Sequence, residues 1–321
     1  MNSSLKVSRR ISRFALAIAI GVLCLTGCIS DDDVDKATTA FVQASTTLTG
    51  AYQTLLLNAN SLAENHYIDQ QTYKALPIDG DGIQQSAKLT DAEIKLRTDT
   101  IKALTDYITA LGTLASNKPA AQIQTDAASA SSSLKTLTTD ATTAFDTPAK
   151  GAKAPDFAGP VSIAATAIGD TLKLIESHAS ASEIRKSIEE NDPKITPLYK
   201  VIEKESADFF SLQKNDLRDT GTSFLSDYET ARNAKPVNQA DLLQLSDRIK
   251  QYEKDAAALP TTDPTKAIGD FEKSHTALVK LITAPADKKQ FALADLMAQV
   301  KSFVAEVKTP SKDSTSPAQS K

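Results

Sequence analysis

The chain has 321 residues, 41% of them hydrophobic and 24% charged, with 36 basic and 40 acidic side chains for a net charge of −4. That profile is globular, and the acidic balance argues against nucleic acid, whose phosphates require a basic footprint. Trp is absent, aromatics are 5%, and only 11 glycines occur in a sequence rich in Ala, Ser, Thr, Leu, Lys and Asp, a composition that favours helices.

The chain opens with a three-part segment. Lys6, Arg9, Arg10 and Arg13 form a basic region, Ala15–Leu25 is apolar, and the small residues Thr26 and Gly27 lead into Cys28. This is the layout of a secretory signal, and its apolar stretch is short for a bilayer-spanning helix, which needs about 20 residues. Leu25-Thr26-Gly27-Cys28 resembles the lipobox of bacterial lipoproteins. The resemblance covers residues 1–28 alone. It implies cleavage of residues 1–27, a diacylglyceryl thioether on Cys28 and acylation of the new amine, which together give stable membrane anchoring. It also implies periplasmic exposure from an outer membrane, because Ile29 stands where similar lipoproteins retained in the inner membrane carry Asp. Ser8-Arg9-Arg10 hints at twin-arginine export, but Phe14 falls late for that pattern, so the general secretory route is expected. The four basic residues leave with the leader, so the mature chain carries a net charge of about −8. That balance argues against broad binding to anionic headgroups. Cys24 leaves too, so no disulfide forms within the mature chain.

Residues 28–148 are expected to form an N-terminal helical bundle. Asp31, Asp32 and Asp33 suit a helix N-terminus, where acidic groups complement the dipole. Val34, Ala37, Phe41, Ala44, Leu48, Ala51, Leu55 and Leu62 alternate steps of three and four, a coiled-coil seam on a long helix reaching about Leu76. Asn58 fills the missing step and is the candidate for fixing register. Pro77–Gly82 reads as a turn. Its Asp79 and Asp81 do not make a calcium loop, since alignment on Gly82 places Lys88 where a bidentate Glu is required. Thr90-Asp91-Ala92-Glu93 is a capping box opening a helix that carries Ile94, Ile101, Leu104, Ile108 and Leu111 and stops near Asn117-Lys118-Pro119. Ile123, Ala127, Ala130, Leu134, Leu137 and Ala141 mark the next helix.

Residues 149–160, with Gly151, Pro155, Gly159 and Pro160, read as a linker, and residues 161–308 as a C-terminal bundle packed with the N-terminal part. The bundle begins with a helix over Val161–His178 and a short piece over Ser182–Glu190. Pro193 and Pro197 predict a break, followed by a second long helix from Leu198 to about Ala234. Its stripe steps irregularly from Leu212 to Leu217, which predicts a stutter or kink near Asn215. Glu203, Glu205 and Asp208 read as its solvated side. Further stripes are Leu242 to Leu259, Ile268 to Ile282, and Phe291, Leu293, Leu296, Val300, Phe303 and Val307. Residues 309–321 read as a disordered tail.

The expected fold is all-α, an elongated bundle of seven to eight helices, two of them long, with coiled-coil-like seams. Glu272-Lys273-Ser274-His275 has the spacing of a di-iron half-site, but His66 and His178 supply no second unit, so a structural His275 is expected. No phosphate loop, zinc-protease motif or nucleophile elbow occurs. The sequence therefore points to a non-enzymatic envelope lipoprotein without cofactor or metal, tethered through Cys28 and presenting helical surfaces to an envelope protein partner. The rival expectation is a periplasmic bundle holding a small apolar or aromatic ligand between helices, which would need a concave apolar site of about 300 Å³ or more.

Overall fold

The computed structural model describes residues 30–73, 75–146, 157–258 and 264–308. The leader, Cys28, Ile29, most of the 149–160 linker and the 309–321 tail lie outside them. Among the described residues there are nine helices and no strand: α1 Asp31–Tyr73, α2 Gly80–Ser86, α3 Asp91–Ala115, α4 Ala120–Asp146, α5 Ala158–Glu176, α6 Ala181–Asn233, α7 Gln239–Ala258, α8 Pro264–Thr283 and α9 Lys289–Lys308. The all-α bundle read from the sequence is what the chain forms.

Local chemistry accounts for most of the boundaries. The Thr90–Glu93 capping box opens α3, and Ser180–Glu183 forms a second one at the start of α6. Pro160 stands in the first turn of α5 and Pro264 begins α8, positions whose N–H groups have no helical partner anyway. The abundant Ser and Thr do not disturb the helices. Thr38, Ser45, Thr100, Thr105 and Ser206 each donate to the carbonyl four residues back, so hydroxyls enter the core already hydrogen-bonded.

Four expectations are corrected. Pro193 and Pro197 do not break the chain: both lie inside α6, which runs 53 residues or about 80 Å. Each proline forfeits a backbone hydrogen bond, at about 3 kcal/mol in an ordinary helix. Burial of Ile188, Ile195, Leu198 and Tyr199 on either side, packed on α5 and α8, holds the helix straight through. No stutter is needed near Asn215, because Gln213 fills the empty step and is buried between Ile202–Ser206 and Leu217. Pro77–Gly82 is a turn only as far as Asp79, whose side chain caps α2 at Gly82. Finally, α1 follows a true 3.6-residue period. Past Leu48 its buried face is Tyr52, Leu55, Leu56, Ala59 and Ala63, while Ala51 is exposed and Asn58 and Leu62 are half-buried. A strict heptad drifts about 20° per repeat from a straight helix, which is why the sequence seam and the real one part company after two turns.

One core joins the helices. α1 packs against α3, α6, α8 and α9, while α3–α4, α4–α5, α5–α6 and α8–α9 are successive neighbours. The scarce aromatics gather at its centre. Phe41, Phe271, Phe303 and Tyr199 meet edge to face or tilted at 5.4–5.8 Å, and His275 and Tyr107 extend the cluster. Where α3 crosses α1, Gly112 permits close approach, since a Cβ there would stand 2.9 Å from that of Thr38.

The bundle has two distinct ends, set by helix direction. Tyr52 pairs with Glu205 and the Leu55 carbonyl with Gln213, so α1 and α6 run parallel. One end therefore gathers the start of α1, the Ser116–Pro119 turn, the start of α6 and the turn before α9, around Asp31, Asn117, Ala181 and Lys289. The opposite end carries the rest of α6 onward to α7.

Candidate functional site

Cys28 lies outside the described residues, so the structure gives no account of its surroundings. The three histidines are kept apart. His66 and His178 are exposed, paired with Gln70 and Gln124. His275 is 1% exposed within the aromatic cluster. Glu272 does not join it in a ligand pair, because its carboxylate is held by Lys200 at 2.8 Å. Among the described residues no three His, Cys, Asp or Glu side chains group as a metal site.

The chemistry that does lie inside was hidden from the sequence. Glu205, expected on the solvated side of α6, is 1% exposed and meets Arg97 of α3, 2% exposed. Arg97 Nε lies 2.9 Å from both carboxylate oxygens and Nη2 donates to Oε1 at 2.6 Å. Tyr52 of α1 donates to Oε2 at 2.9 Å. Nη1 reaches the Glu93 carbonyl at 3.1 Å, and the guanidinium lies 5.0 Å from the centroid of the Phe157 ring. Burial holds the Tyr52 phenol well above its ordinary value, and the Glu205 charge adds to this. The network locks α1, α3 and α6 together with its donors and acceptors satisfied, as a buried ion pair requires. Only the neighbouring apolar positions hinted at it: Glu205 sits three residues after Ile202 and four before Phe209.

A second group surrounds His275. Its ring stands 5.9 Å from Tyr107 and 5.7 Å from Tyr199, centroid to centroid, and Nδ1 is 3.5 Å from an Asp192 oxygen. His275 Nε2 and both phenol hydroxyls are buried without a hydrogen-bond partner. Burial lowers the His275 pKa, with Asp192 and Glu272 opposing, and raises both phenols. The imidazole is therefore neutral near pH 7, and no substrate reaches any of the three groups in this conformation.

Solvent-facing features concentrate at the two ends. Among the described residues of 222–257 none is buried; Phe224, Tyr228, Leu242, Leu245, Ile249 and Tyr252 are only half-covered. Leu225, Val237 and Leu243 are exposed, Leu243 by 67%. The hairpin is clamped at its root, where the Tyr252 ring lies so close to Gly221 that a Cβ there would overlap it, and Arg248 lies over Phe224. A groove of about 470 Å³ separates α4 from α5, floored by Ala141, Val161, Ala165 and Gly169. At the other end, Phe291, expected on the apolar stripe of α9, is 79% exposed, because Leu293, Leu296, Val300 and Phe303 define a face on the other side. No described helix is long and apolar enough to cross a membrane. The chain matches no protein-family model, no curated protein and no solved structure.

Proposed function

We propose that this is a non-enzymatic cell-envelope lipoprotein, tethered through Cys28 to the periplasmic face of the outer membrane, that presents the α6–α7 hairpin to an envelope protein partner. One observation carries the reading: the residues next to the tether and the least-buried helices lie at opposite ends of the same parallel pair. Asp31 follows Cys28 by three residues, so α1 starts within about 10 Å of the lipid-bearing residue. α6 runs parallel to α1 and extends about 80 Å, carrying the hairpin away from that end. Two helices with no fully buried residue past Gly221 are marginal by themselves, and exposed Leu225, Val237 and Leu243 are the side chains a partner would cover. The Arg97–Glu205–Tyr52 network fits a rigid strut better than a reaction centre, because it joins three helices out of reach of solvent.

The test is photo-crosslinking in intact cells with a benzophenone residue at Leu243 or Leu225, and at Lys135 on α4 as a control. A discrete protein adduct from the hairpin sites and none from Lys135 is expected. Adducts from Lys135 alone would place the partner elsewhere and defeat the reading. The groove between α4 and α5 keeps a small apolar ligand as the rival. Crosslinks absent everywhere, with a ligand recovered from purified protein, would favour it.

A further inference from the structure

The anchored end has a composition of its own. A cleft of about 300 Å³ opens there between the starts of α1, α6 and α9, floored by Val34, Leu114, Ile184 and Ile282 and rimmed by Asp31, Arg185 and Lys289. Among the described residues, Lys36, Lys118 and Lys186 at this end are paired with Asp33, Asp35 and Glu190. Arg185, Lys288 and Lys289 form no ion pair there with any described residue. Phe291, two residues beyond Lys289, is the most exposed of the exposed large hydrophobic side chains. An apolar floor, unpaired cations and an outward aromatic are the elements of a lipid interface.

We infer that this end of the bundle docks on the bilayer itself. Phe291 enters the headgroup layer, and Arg185 and Lys289 hold phospholipid phosphates at the mouth of the cleft. The inference rests on lipidation at Cys28, and the tether identifies the occupant. With three residue steps between Cys28 and Asp31, the end face cannot stand more than about 10 Å from the lipid-bearing residue. A membrane therefore covers this surface whenever the protein is anchored, at an effective concentration no soluble partner matches. The charges fit a zwitterionic lipid. Phosphate suits Arg185 and Lys289, while the ammonium of phosphatidylethanolamine suits the aspartates at Asp31–Asp33, where a purely anionic lipid would be repelled. Docking would hold α1 and α6 at a fixed angle to the membrane, and the α6–α7 hairpin at a fixed height.

The processed chain offers a direct test, because with Cys28 acylated and Cys24 removed an introduced cysteine is its only thiol. Lipidated full-length protein carrying Phe291→Cys, or Leu243→Cys as the distal control, is labelled with an environment-sensitive fluorophore. It is then reconstituted into phosphatidylethanolamine vesicles containing a minority of phosphatidylglycerol. The label at 291 should be quenched by lipids bearing a doxyl group just below the headgroup, and the label at 243 should not. Adding Arg185→Glu and Lys289→Glu to Phe291→Cys should lower the docked-to-free ratio roughly fivefold for each cation lost, with flotation and helicity unchanged. A 291 label that stays unquenched in protein that floats with the vesicles and carries labelled palmitate overturns docking and leaves the anchor standing. Quenching at 291 that survives the double charge reversal overturns the role given to Arg185 and Lys289. Protein that takes up no palmitate and does not float overturns the anchor, and docking with it.

Discussion

Replacing Glu205 by Leu should be among the most damaging single changes in the protein. The substitution leaves Arg97 charged, 2% exposed and without its anion, with only the Glu93 carbonyl and the Phe157 ring as partners, and removes the acceptor of Tyr52. Breaking a buried ion pair from one side costs about 3–5 kcal/mol. At about 2–4 °C per kcal/mol for a protein of this size, the melting temperature should fall by about 6–20 °C. The pair itself is worth far less than that loss, because both ions give up hydration to enter the core. The triple replacement Tyr52→Phe, Arg97→Met, Glu205→Leu removes the charges and the hydroxyl together, and should lie within about 2 kcal/mol of the wild type or above it. Thermal and urea unfolding of the unlipidated chain, followed by circular dichroism, measure all three forms. A loss below about 1 kcal/mol for Glu205→Leu would show that Arg97 reaches water, contrary to its burial. A triple variant as unstable as the single one would show that the network supplies net stability.

The pH response should trace to His275. Its folded-state pKa is lowered from the ordinary 6.5 by burial, so the unfolded chain takes up the proton first as pH falls. Stability is then full above about pH 6.5 and declines below it by up to about 1.4 kcal/mol per pH unit until the folded-state pKa is passed. In urea midpoints measured between neutral and mildly acidic pH, His275→Phe should remove that slope, and an unchanged slope would clear His275 of it. Asn60 bonds both backbone groups of Leu89, at 2.6 and 2.9 Å, so Asn60→Leu should cost about 1–3 kcal/mol and raise hydrogen exchange at the start of α3. Asn58→Leu, at a half-buried position beside the core line, should change stability far less. Gly221→Ala should destabilise the hairpin by about 1–3 kcal/mol, because the new Cβ meets the Tyr252 ring. Gly50→Ala, with open space around it, should stabilise α1 by about 0.5–1 kcal/mol; matched hydrogen-exchange and melting data on the two variants check both signs.

Composition and short-range pattern were enough for the fold class, because they act within a few residues. Few glycines, apolar residues at helical spacing and the Thr90 capping box specify α3 and its neighbours without knowledge of the rest of the chain. The lipobox reading, too, belongs to sequence alone and lies outside the described residues. What tertiary structure decided is where a local rule was outvoted. Pro193 and Pro197 signal a break, yet the burial of Ile195, Leu198 and Tyr199 carries α6 through them. Glu205 and Gln213 signal solvent, yet Arg97, Tyr52 and the Leu55 carbonyl meet them in the core from helices more than a hundred residues away. Phe291 signals core, yet the three apolar neighbours Leu293, Leu296 and Val300 turn α9 the other way. A polar residue is pulled inside, or an aromatic left outside, by partners distant along the chain, and a pattern read along one helix carries no information about them.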